Sequence, residues 1–243
     1  MSWSVEPTEI GRIVVPPSLP DGLALFYTTI DFDGALDDDA AAKSMRIVRE
    51  RFGVEANLST CTQVHGKSVV RATGDSRWRE CDSCDALWSP DSGAALGIKV
   101  ADCLPISIAD MDHGVIANIH SGWRGAVQKI TAEALDVLGG ETTFDPFTAQ
   151  VWLGPSIRVC CFEVGEEVVE QFRASYAEAE AFVDRGGAKP HIDLPGLTIA
   201  LLTERGVLPH NIHDSGLCTR CDGSIFHSYR RQRGGRNLAV MAH

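Results

Sequence analysis

The 243-residue chain carries 22 Lys and Arg against 33 Asp and Glu, a formal net charge of −11, and 44% of its residues are hydrophobic. This composition is typical of a globular protein and excludes a disordered, collagenous or coiled-coil chain. The acidic balance disfavours nucleic acid or an anionic membrane as a partner. No targeting or membrane-spanning segment is recognised, so we expect a cytoplasmic protein whose eight cysteines are thiols.

The composition is even, with no internal repeat or low-complexity linker, which predicts one domain over residues 1–243. Residues 1–22 contain four prolines and are expected to form an extended lead-in, and the acidic stretch 31–39 is interpreted as a solvated turn. Strands are predicted, in chain order, at 23–30, 58–65, 68–73, 94–100, 104–109, 115–120, 149–153 and 236–241. Helices are predicted at 40–52, 125–138, 166–176 and 197–205, the second ended by Gly139 and Gly140. Because helices and strands alternate only loosely, the pattern predicts an α+β fold with mixed β-sheets.

Three residues that can bind a metal follow strand-like runs. His65, Cys103 and His120 each lie at the end of such a run, beside a glycine or a proline. Strand ends that give way to turns expose reactive side chains. Two imidazoles and one thiolate would make a three-ligand zinc site with an open position, as in catalytic sites. The wide separations match no short zinc motif, so two alternatives stay open: a buried core histidine with an inert cysteine, and Cys–His nucleophilic catalysis through Cys103.

Two arginine-containing segments are candidates for binding an anion. The turn 120–125 places Gly122 and Arg124 at the start of a predicted helix, whose first N–H groups can receive a phosphate. Segment 228–237 is rich in arginine, and guanidinium groups bind phosphate through paired hydrogen bonds. An ordinary glycine turn and a solvated basic surface are the competing interpretations.

The remaining cysteines and one carboxylate suggest further sites. The units Cys81–Cys84 and Cys218–Cys221 could together bind structural zinc, although more than half of the chain separates them. The adjacent Cys160 and Cys161 are interpreted as small buried apolar residues. Glu163 follows them in an apolar run and is a candidate either to face a site or to pair with an arginine.

Eight short segments together resemble the polyphenol oxidase, or multicopper-laccase-like, family. They occur in the family's order over about three quarters of the chain, at 63–66, 85–87, 101–105, 120–125, 153–157, 162–165, 217–219 and 228–231. Ser121 replaces the alanine that is usual in the His-Ala-Gly-Trp-Arg-Gly segment. Two N-terminal segments of the family, Arg-x-Gly-Gly-Val-Ser and Ser-Leu-Asn-Leu-Gly, have no counterpart in the acidic stretch here.

The resemblance implies a fold, a metal and an activity. The family's fold is a four-layer α/β/β/α sandwich, and its metal ligands fall on His65, Cys103 and His120. Its members act as zinc-dependent phosphorylases of adenosine, inosine, guanosine and methylthioadenosine, and as adenosine deaminases. The implied partners are therefore a small nucleoside and phosphate, with Zn²⁺ as the expected ion and copper as the second choice.

The candidate residue roles combine this resemblance with the chemistry that the two reactions require. His65, Cys103, His120 and Glu163 are expected to be catalytic, with Asp102 as an alternative proton carrier. Arg124, Arg231 and Gly122 are expected to bind substrate or phosphate. Three other functions stay open: a cysteine hydrolase or amidase that edits peptidoglycan precursors, a copper-dependent polyphenol oxidase, and a family member without catalytic activity.

Overall fold

The computed structural model describes residues 2–34, 38–75, 78–232 and 234–243, so part of the predicted acidic turn and Arg233 of the basic segment lie outside the described residues. Its strands are β1 Ser4–Thr8, β2 Gly11–Val15, β3 Ala24–Thr28, β4 Asn57–Cys61, β5 Val69–Arg71, β6 Trp78–Cys81, β7 Ala86–Ser89, β8 Ala94–Val100, β9 Leu104–Asp110, β10 Val115–Ser121, β11 Gln150–Leu153, β12 Val183–Asp184, β13 His191–Ile192, β14 Ile212–Asp214 and β15 Asn237–Ala242. Its α-helices are α1 Asp38–Phe52, α2 Trp123–Val127, α3 Ile130–Glu141, α4 Glu166–Ser175, α5 Leu194–Glu204 and α6 Tyr229–Gln232.

The strands form two large mixed sheets and a small two-stranded one. The first large sheet has the order β1-β2-β3-β15-β8-β4-β6, and the second has the order β14-β11-β9-β10-β7-β5. In the first sheet β4 pairs in parallel with β6 and β8, while β15 pairs antiparallel with β3 and β8. Among the described residues, none of the helices has the length and apolar character needed to span a bilayer.

Three apolar clusters separate four layers. One cluster packs α1 against the outer face of the first sheet, through Val48 and Phe26 among others. A second lies between the sheets and includes Leu96 and Trp152. The third packs the outer face of the second sheet against α2, α3, α4 and α5. The protein is therefore an α/β/β/α sandwich with mixed sheets, which confirms the α+β fold that the pattern predicts and the layers that the family resemblance implies.

Strand β15 shows why a strand of this protein appears in the sequence as a continuous apolar run. Its residues alternate between layers, since Leu238 and Val240 join the cluster under α1 while Ala239 and Met241 join the cluster between the sheets. A strand buried on both faces has no polar positions at the period of two that marks a half-exposed strand. Such a strand is recognised by its length and its boundaries instead.

Several predicted elements differ from the structure. Residues 1–22, predicted to be an extended lead-in, contain the antiparallel pair β1 and β2 at one edge of the first sheet. The single helix predicted at 125–138 is two helices, α2 and α3, separated at Lys129, which has a left-handed backbone with φ of 60°. The prediction that Gly139 and Gly140 end this helix is wrong, because α3 continues to Glu141. A glycine costs a helix only about 1 kcal/mol, and packing of the fully buried Leu138 against the second sheet outweighs that cost.

Candidate metal centre

Three side chains from separate segments meet at one end of the second sheet. His65 lies in the loop after β4, Cys103 directly precedes β9, and His120 lies in β10. The antiparallel register of β9 and β10 pairs His120 with Pro105, which brings the chain segment of Cys103 beside it. The ligand atoms of the three residues lie within 4.8 Å of one another, and the Cys103 Sγ is 3.9 Å from the His65 Nε2. The structure therefore brings together all three predicted metal ligands.

The geometry of this triad fits a tetrahedral metal ion. Zinc bonds of about 2.3 Å to sulfur and 2.0–2.1 Å to nitrogen hold the two ligand atoms about 3.6 Å apart, close to the observed sulfur–nitrogen distance. The lack of a side chain at Gly122 provides space for two of these side chains, because a Cβ there would lie 2.9 Å from the His65 Cδ2 and 3.0 Å from the Cys103 Sγ. A thiolate with two imidazoles suits zinc and also copper. The residues present can thus hold a metal, and their chemistry leaves its identity open.

Asp85 organises the triad from behind. Its buried carboxylate accepts a hydrogen bond of 2.8 Å from the His120 Nδ1, which leaves the Nε2 of that ring for the metal side. The same carboxylate accepts backbone N–H bonds from Val64, His65 and Gly66 at 3.2, 2.9 and 2.7 Å. Asp85 therefore positions two of the three ligands, including His65, whose backbone is left-handed with φ of 60°.

Asp85 has no role predicted from the sequence, although it lies in one of the resembling segments. The signal that could have identified it is a lone carboxylate at the start of an apolar strand, where a charge needs a partner. Burial raises the pKa of Asp85, but hydrogen bonds from His120 and from the backbone outweigh this and hold the pKa below its usual range. The carboxylate is therefore charged and able to orient an imidazole.

The thiol and the buried imidazole of the triad shift each other's ionisation. Burial by itself raises the pKa of Cys103, but the neighbouring His120 and His65 more than reverse this and lower it to about 6. Burial likewise lowers the pKa of His120, whereas Cys103 and Asp85 raise it to about 9. In the metal-free chain the two groups therefore form a thiolate–imidazolium pair.

The triad lines a cavity of about 1110 Å³ that carries both charged and aromatic side chains. The described residues of its wall include four cations, three acids and three aromatic side chains. They are Lys99, Arg124, Arg230 and Arg236, then Asp33, Glu80 and Asp102, then Trp123, Phe162 and Tyr229. This space suits a ligand that combines an anionic group with a flat ring.

Only one of the two predicted phosphate-binding arginines lines this cavity. Arg124 is exposed on α2, with its guanidinium carbon 4.5 Å above the Trp123 ring. Arg231 instead donates to the backbone carbonyls of Thr219 and Arg220 at 3.1 and 3.3 Å, and also to that of Phe226. Its neighbour Arg230 takes the place at the cavity. Arg230 is not predicted from the sequence, because a helix as short as α6 has no hydrophobic period that shows which arginine faces the cavity.

The two candidate carboxylates occupy different places. Glu163 is exposed, is not among the described residues that line the cavity, and has its carboxylate 3.2 Å from the Lys189 Nζ. Asp102 lines the cavity beside Cys103. Its Oδ1 accepts a bond of 2.7 Å from the Thr219 hydroxyl, and its Oδ2 accepts one of 2.7 Å from the backbone N–H of Arg230. The structure thus brings Asp102 to the triad and leaves Glu163 apart from it.

Comparison with known proteins gives the family. A family model described as multi-copper polyphenol oxidoreductase laccase matches residues 26–243. A purine nucleoside phosphorylase of Pseudomonas aeruginosa is 37% identical over 223 residues, which are 88% of this chain and 86% of that relative. Adenosine deaminase RL5, from an unknown prokaryotic organism, is 39% identical over 153 residues, which are 62% of this chain and 58% of that relative's length. The crystal structure of YlmD from Geobacillus stearothermophilus shares the fold, with a TM-score of 0.86 and 24% identity over 98% of both chains. The chain therefore belongs to the multi-copper polyphenol oxidoreductase laccase family.

Proposed function

We propose that this protein is a metal-dependent enzyme that splits purine nucleosides with phosphate and also deaminates adenosine. The observation that carries the proposal is the His65, Cys103 and His120 triad in the wall of a cavity that also contains four cationic side chains. The names of the two relatives, a purine nucleoside phosphorylase and an adenosine deaminase, support the same substrate class.

The triad would hold the metal, with zinc as the proposed ion and copper as the alternative. A zinc ion bound by two imidazoles and a thiolate supplies a Lewis acid for an oxygen atom of the substrate or of water. Asp85 keeps the His120 ring oriented through its Nδ1, and Gly122 keeps the ligands free of a steric clash. We place the protein in the cytoplasm, where cysteines that form no disulfide would stay reduced and able to bind metal.

The cationic wall would seat phosphate. In phosphorolysis a phosphate oxygen forms a bond to C1′ of the sugar while the C–N bond breaks and the base leaves with a proton. Arg124 and Arg230 offer planar donor groups that match phosphate oxygens. Both arginines also lie against aromatic rings, Arg124 over Trp123 and Arg230 at 5.6 Å from the Phe162 ring centre. These contacts hold the guanidinium groups at the cavity before phosphate arrives.

The aromatic wall would receive the base, and Asp102 would carry protons. Tyr229 is 51% exposed and lines the cavity, so its ring has a face on which a purine can stack. In deamination water adds to C6 of adenine and ammonia leaves, which requires a carboxylate to move a proton from the water to the leaving amine. Asp102 is the candidate for that role, because the carboxylate of Glu163 pairs with Lys189 instead.

The test is product formation by metal-loaded protein. We expect hypoxanthine from inosine only when phosphate is present, and inosine from adenosine without phosphate, both measured by liquid chromatography. His120→Ala should abolish both reactions. The matched control is Arg205→Met, which removes an exposed arginine paired with Asp136 and should leave both unchanged. Release of hypoxanthine that ignores phosphate, or no release at all, would refute the phosphorylase proposal.

A cysteine hydrolase acting on peptidoglycan precursors is the second candidate function. It is favoured by the thiolate–imidazolium pair of Cys103 and His120. This candidate requires turnover that survives a chelator and is lost when Cys103 is alkylated. Turnover that the chelator abolishes would count against it, and oxidation of a phenol by the copper-loaded protein would favour the polyphenol oxidase instead. If the wild-type protein shows turnover that Cys103→Ala loses, the alternative of a family member without catalytic activity is excluded.

A further inference from the structure

Four other cysteines form a second cluster away from the triad. Cys160 and Cys161 lie in the loop before α4, and Cys218 and Cys221 lie in the loop after β14. Their four sulfur atoms all lie within 4.8 Å of one another. The interpretation of Cys160 and Cys161 as buried apolar residues is wrong for Cys160, which is exposed. We propose that these four cysteines bind a structural zinc ion, distinct from the metal of the proposed active site.

The sulfur separations match a tetrahedral tetrathiolate site. Zinc–sulfur bonds of about 2.3 Å place the corners of the tetrahedron about 3.8 Å apart. The Cys221 Sγ lies 3.7 Å from the Cys160 Sγ and 3.4 Å from the Cys161 Sγ. Thiolates are soft ligands that favour zinc over magnesium or calcium. A single ion therefore fits among the four sulfurs with small movements.

The two loops are already held in the arrangement that a metal needs. Ser156 pairs with Cys218 as a parallel bridge, through the bonds from Ser156 N to Leu217 O and from Thr219 N to Ser156 O. The backbone N–H of Asp222 donates to the Cys218 carbonyl at 2.9 Å, which closes the turn that carries Cys218 and Cys221. Backbone hydrogen bonds therefore fix this turn and join it to the segment just before Cys160 and Cys161.

The pairing predicted for Cys218–Cys221 with Cys81–Cys84 is wrong. Cys81 ends β6, where the parallel register places it beside Cys61 of β4. Cys61, Cys81 and Cys84 all belong to the apolar cluster between the sheets. Their position between the two sheets follows from strand pairing, and it leaves Cys160 and Cys161 as the partners of Cys218 and Cys221.

The second cluster lies directly behind one wall of the active-site cavity. Thr219, between the ligands Cys218 and Cys221, donates to the Asp102 carboxylate at 2.7 Å. On the other loop, Phe162 follows Cys161 and lines the cavity. A zinc ion joining the loops would hold both walls in place. Its loss should therefore loosen the Asp102 carboxylate without removing a ligand of the triad.

Metal content tests the proposal without any measurement of activity. We expect two zinc ions per chain in the wild-type protein by elemental analysis, one in Cys221→Ala and one in His120→Ala. Cys221 is exposed, so its replacement removes a ligand with little loss of packing. The control is Cys81→Ala, which removes a buried thiol that belongs to neither proposed metal site and should keep both ions. In cobalt-substituted His120→Ala protein, we expect the absorption of a tetrathiolate site, lost in the double variant.

The outcomes separate this site from the proposed active site. A wild-type content of one ion that Cys221→Ala leaves unchanged would overturn the tetrathiolate site. So would a disulfide between Cys161 and Cys221 in protein isolated under reducing conditions, shown by mass spectrometry. Retention of both ions in His120→Ala would instead count against the triad as a metal site and would leave the cysteine site supported.

Discussion

Gly122 is the position where one added methyl group should separate metal binding from folding. A Cβ there would lie 2.9 Å from the His65 Cδ2 and 3.0 Å from the Cys103 Sγ. Ordinary contacts between such atoms are about 3.5–4.0 Å, so in Gly122→Ala the two ligands must retreat by about 0.5–1 Å. Metal and catalytic sites tolerate displacements of about 0.5 Å. We therefore expect metal affinity to fall about 10–100-fold, as when the support of a ligand is disturbed.

The fold should survive this change. Gly122 has φ of −74° and ψ of 166°, an extended conformation open to any residue. His65 is exposed, so its ring can swing toward solvent to make room. The assay is competition with a chromogenic chelator for metal affinity, together with thermal unfolding of the metal-free protein. We expect weaker binding with a nearly unchanged melting temperature.

The matched control is Gly139→Ala in α3. No heavy atom lies within 4 Å of the Cβ that this change would add. It should leave metal affinity unchanged and stabilise the helix by about 0.5–1 kcal/mol. If Gly122→Ala binds metal as tightly as the wild type, the close approach of Gly122 to the ligands does not govern the site, and the reasoning from it is refuted.

Three further predictions concern the buried Asp85, the cavity residue Arg124 and the buried Tyr27. Asp85→Asn should lower metal affinity about 10–100-fold and the free energy of unfolding by about 3–5 kcal/mol, because an amide cannot accept all the hydrogen bonds that the carboxylate receives. Chelator competition measures the affinity and urea unfolding measures the stability. An unchanged affinity would contradict the positioning role of Asp85. Arg124→Met should raise the KM for phosphate by about tenfold or more, since a charged hydrogen bond contributes about 1.5–3 kcal/mol. Phosphate saturation curves measure this change, with Arg205→Met as the control. Equal KM values in the two variants would show that Arg124 does not bind phosphate. Burial raises the pKa of Tyr27, so this phenol stays neutral in the folded chain, whereas in the unfolded chain it ionises above pH about 10. The free energy of unfolding should therefore fall as pH rises above that value, by up to about 1.4 kcal/mol per pH unit. Urea unfolding at stepped pH should show that Tyr27→Phe lacks this part of the loss, and identical alkaline profiles for the two proteins would refute the prediction.

Local patterns predicted the individual helices and strands better than the boundaries and connections between them. The helices α1, α4 and α5 and the strands β3, β8 and β10 all lie where apolar runs and breakers indicated. The break between α2 and α3 was missed, because the left-handed Lys129 has no glycine or proline to mark it. The hairpin of β1 and β2 was missed as well, since Pro7 within it and the three prolines that follow it favour an irregular segment. Pro7 lies in β1, the edge strand, where a proline is tolerated.

Residue type and position at a strand end are local properties, so the sequence alone indicates which side chains are candidates for chemistry. It pointed to His65, Cys103 and His120 as candidate metal ligands through the chemistry of their side chains and a family resemblance. Which residues meet, and what supports them, depends on the tertiary structure. The buried Asp85 became a partner of His120 because the strands β7 and β10 pair side by side. Arg230 rather than Arg231 reached the cavity, and Cys160 and Cys161 met Cys218 and Cys221, because contacts between distant segments depend on register and loop pairing, which no local pattern encodes.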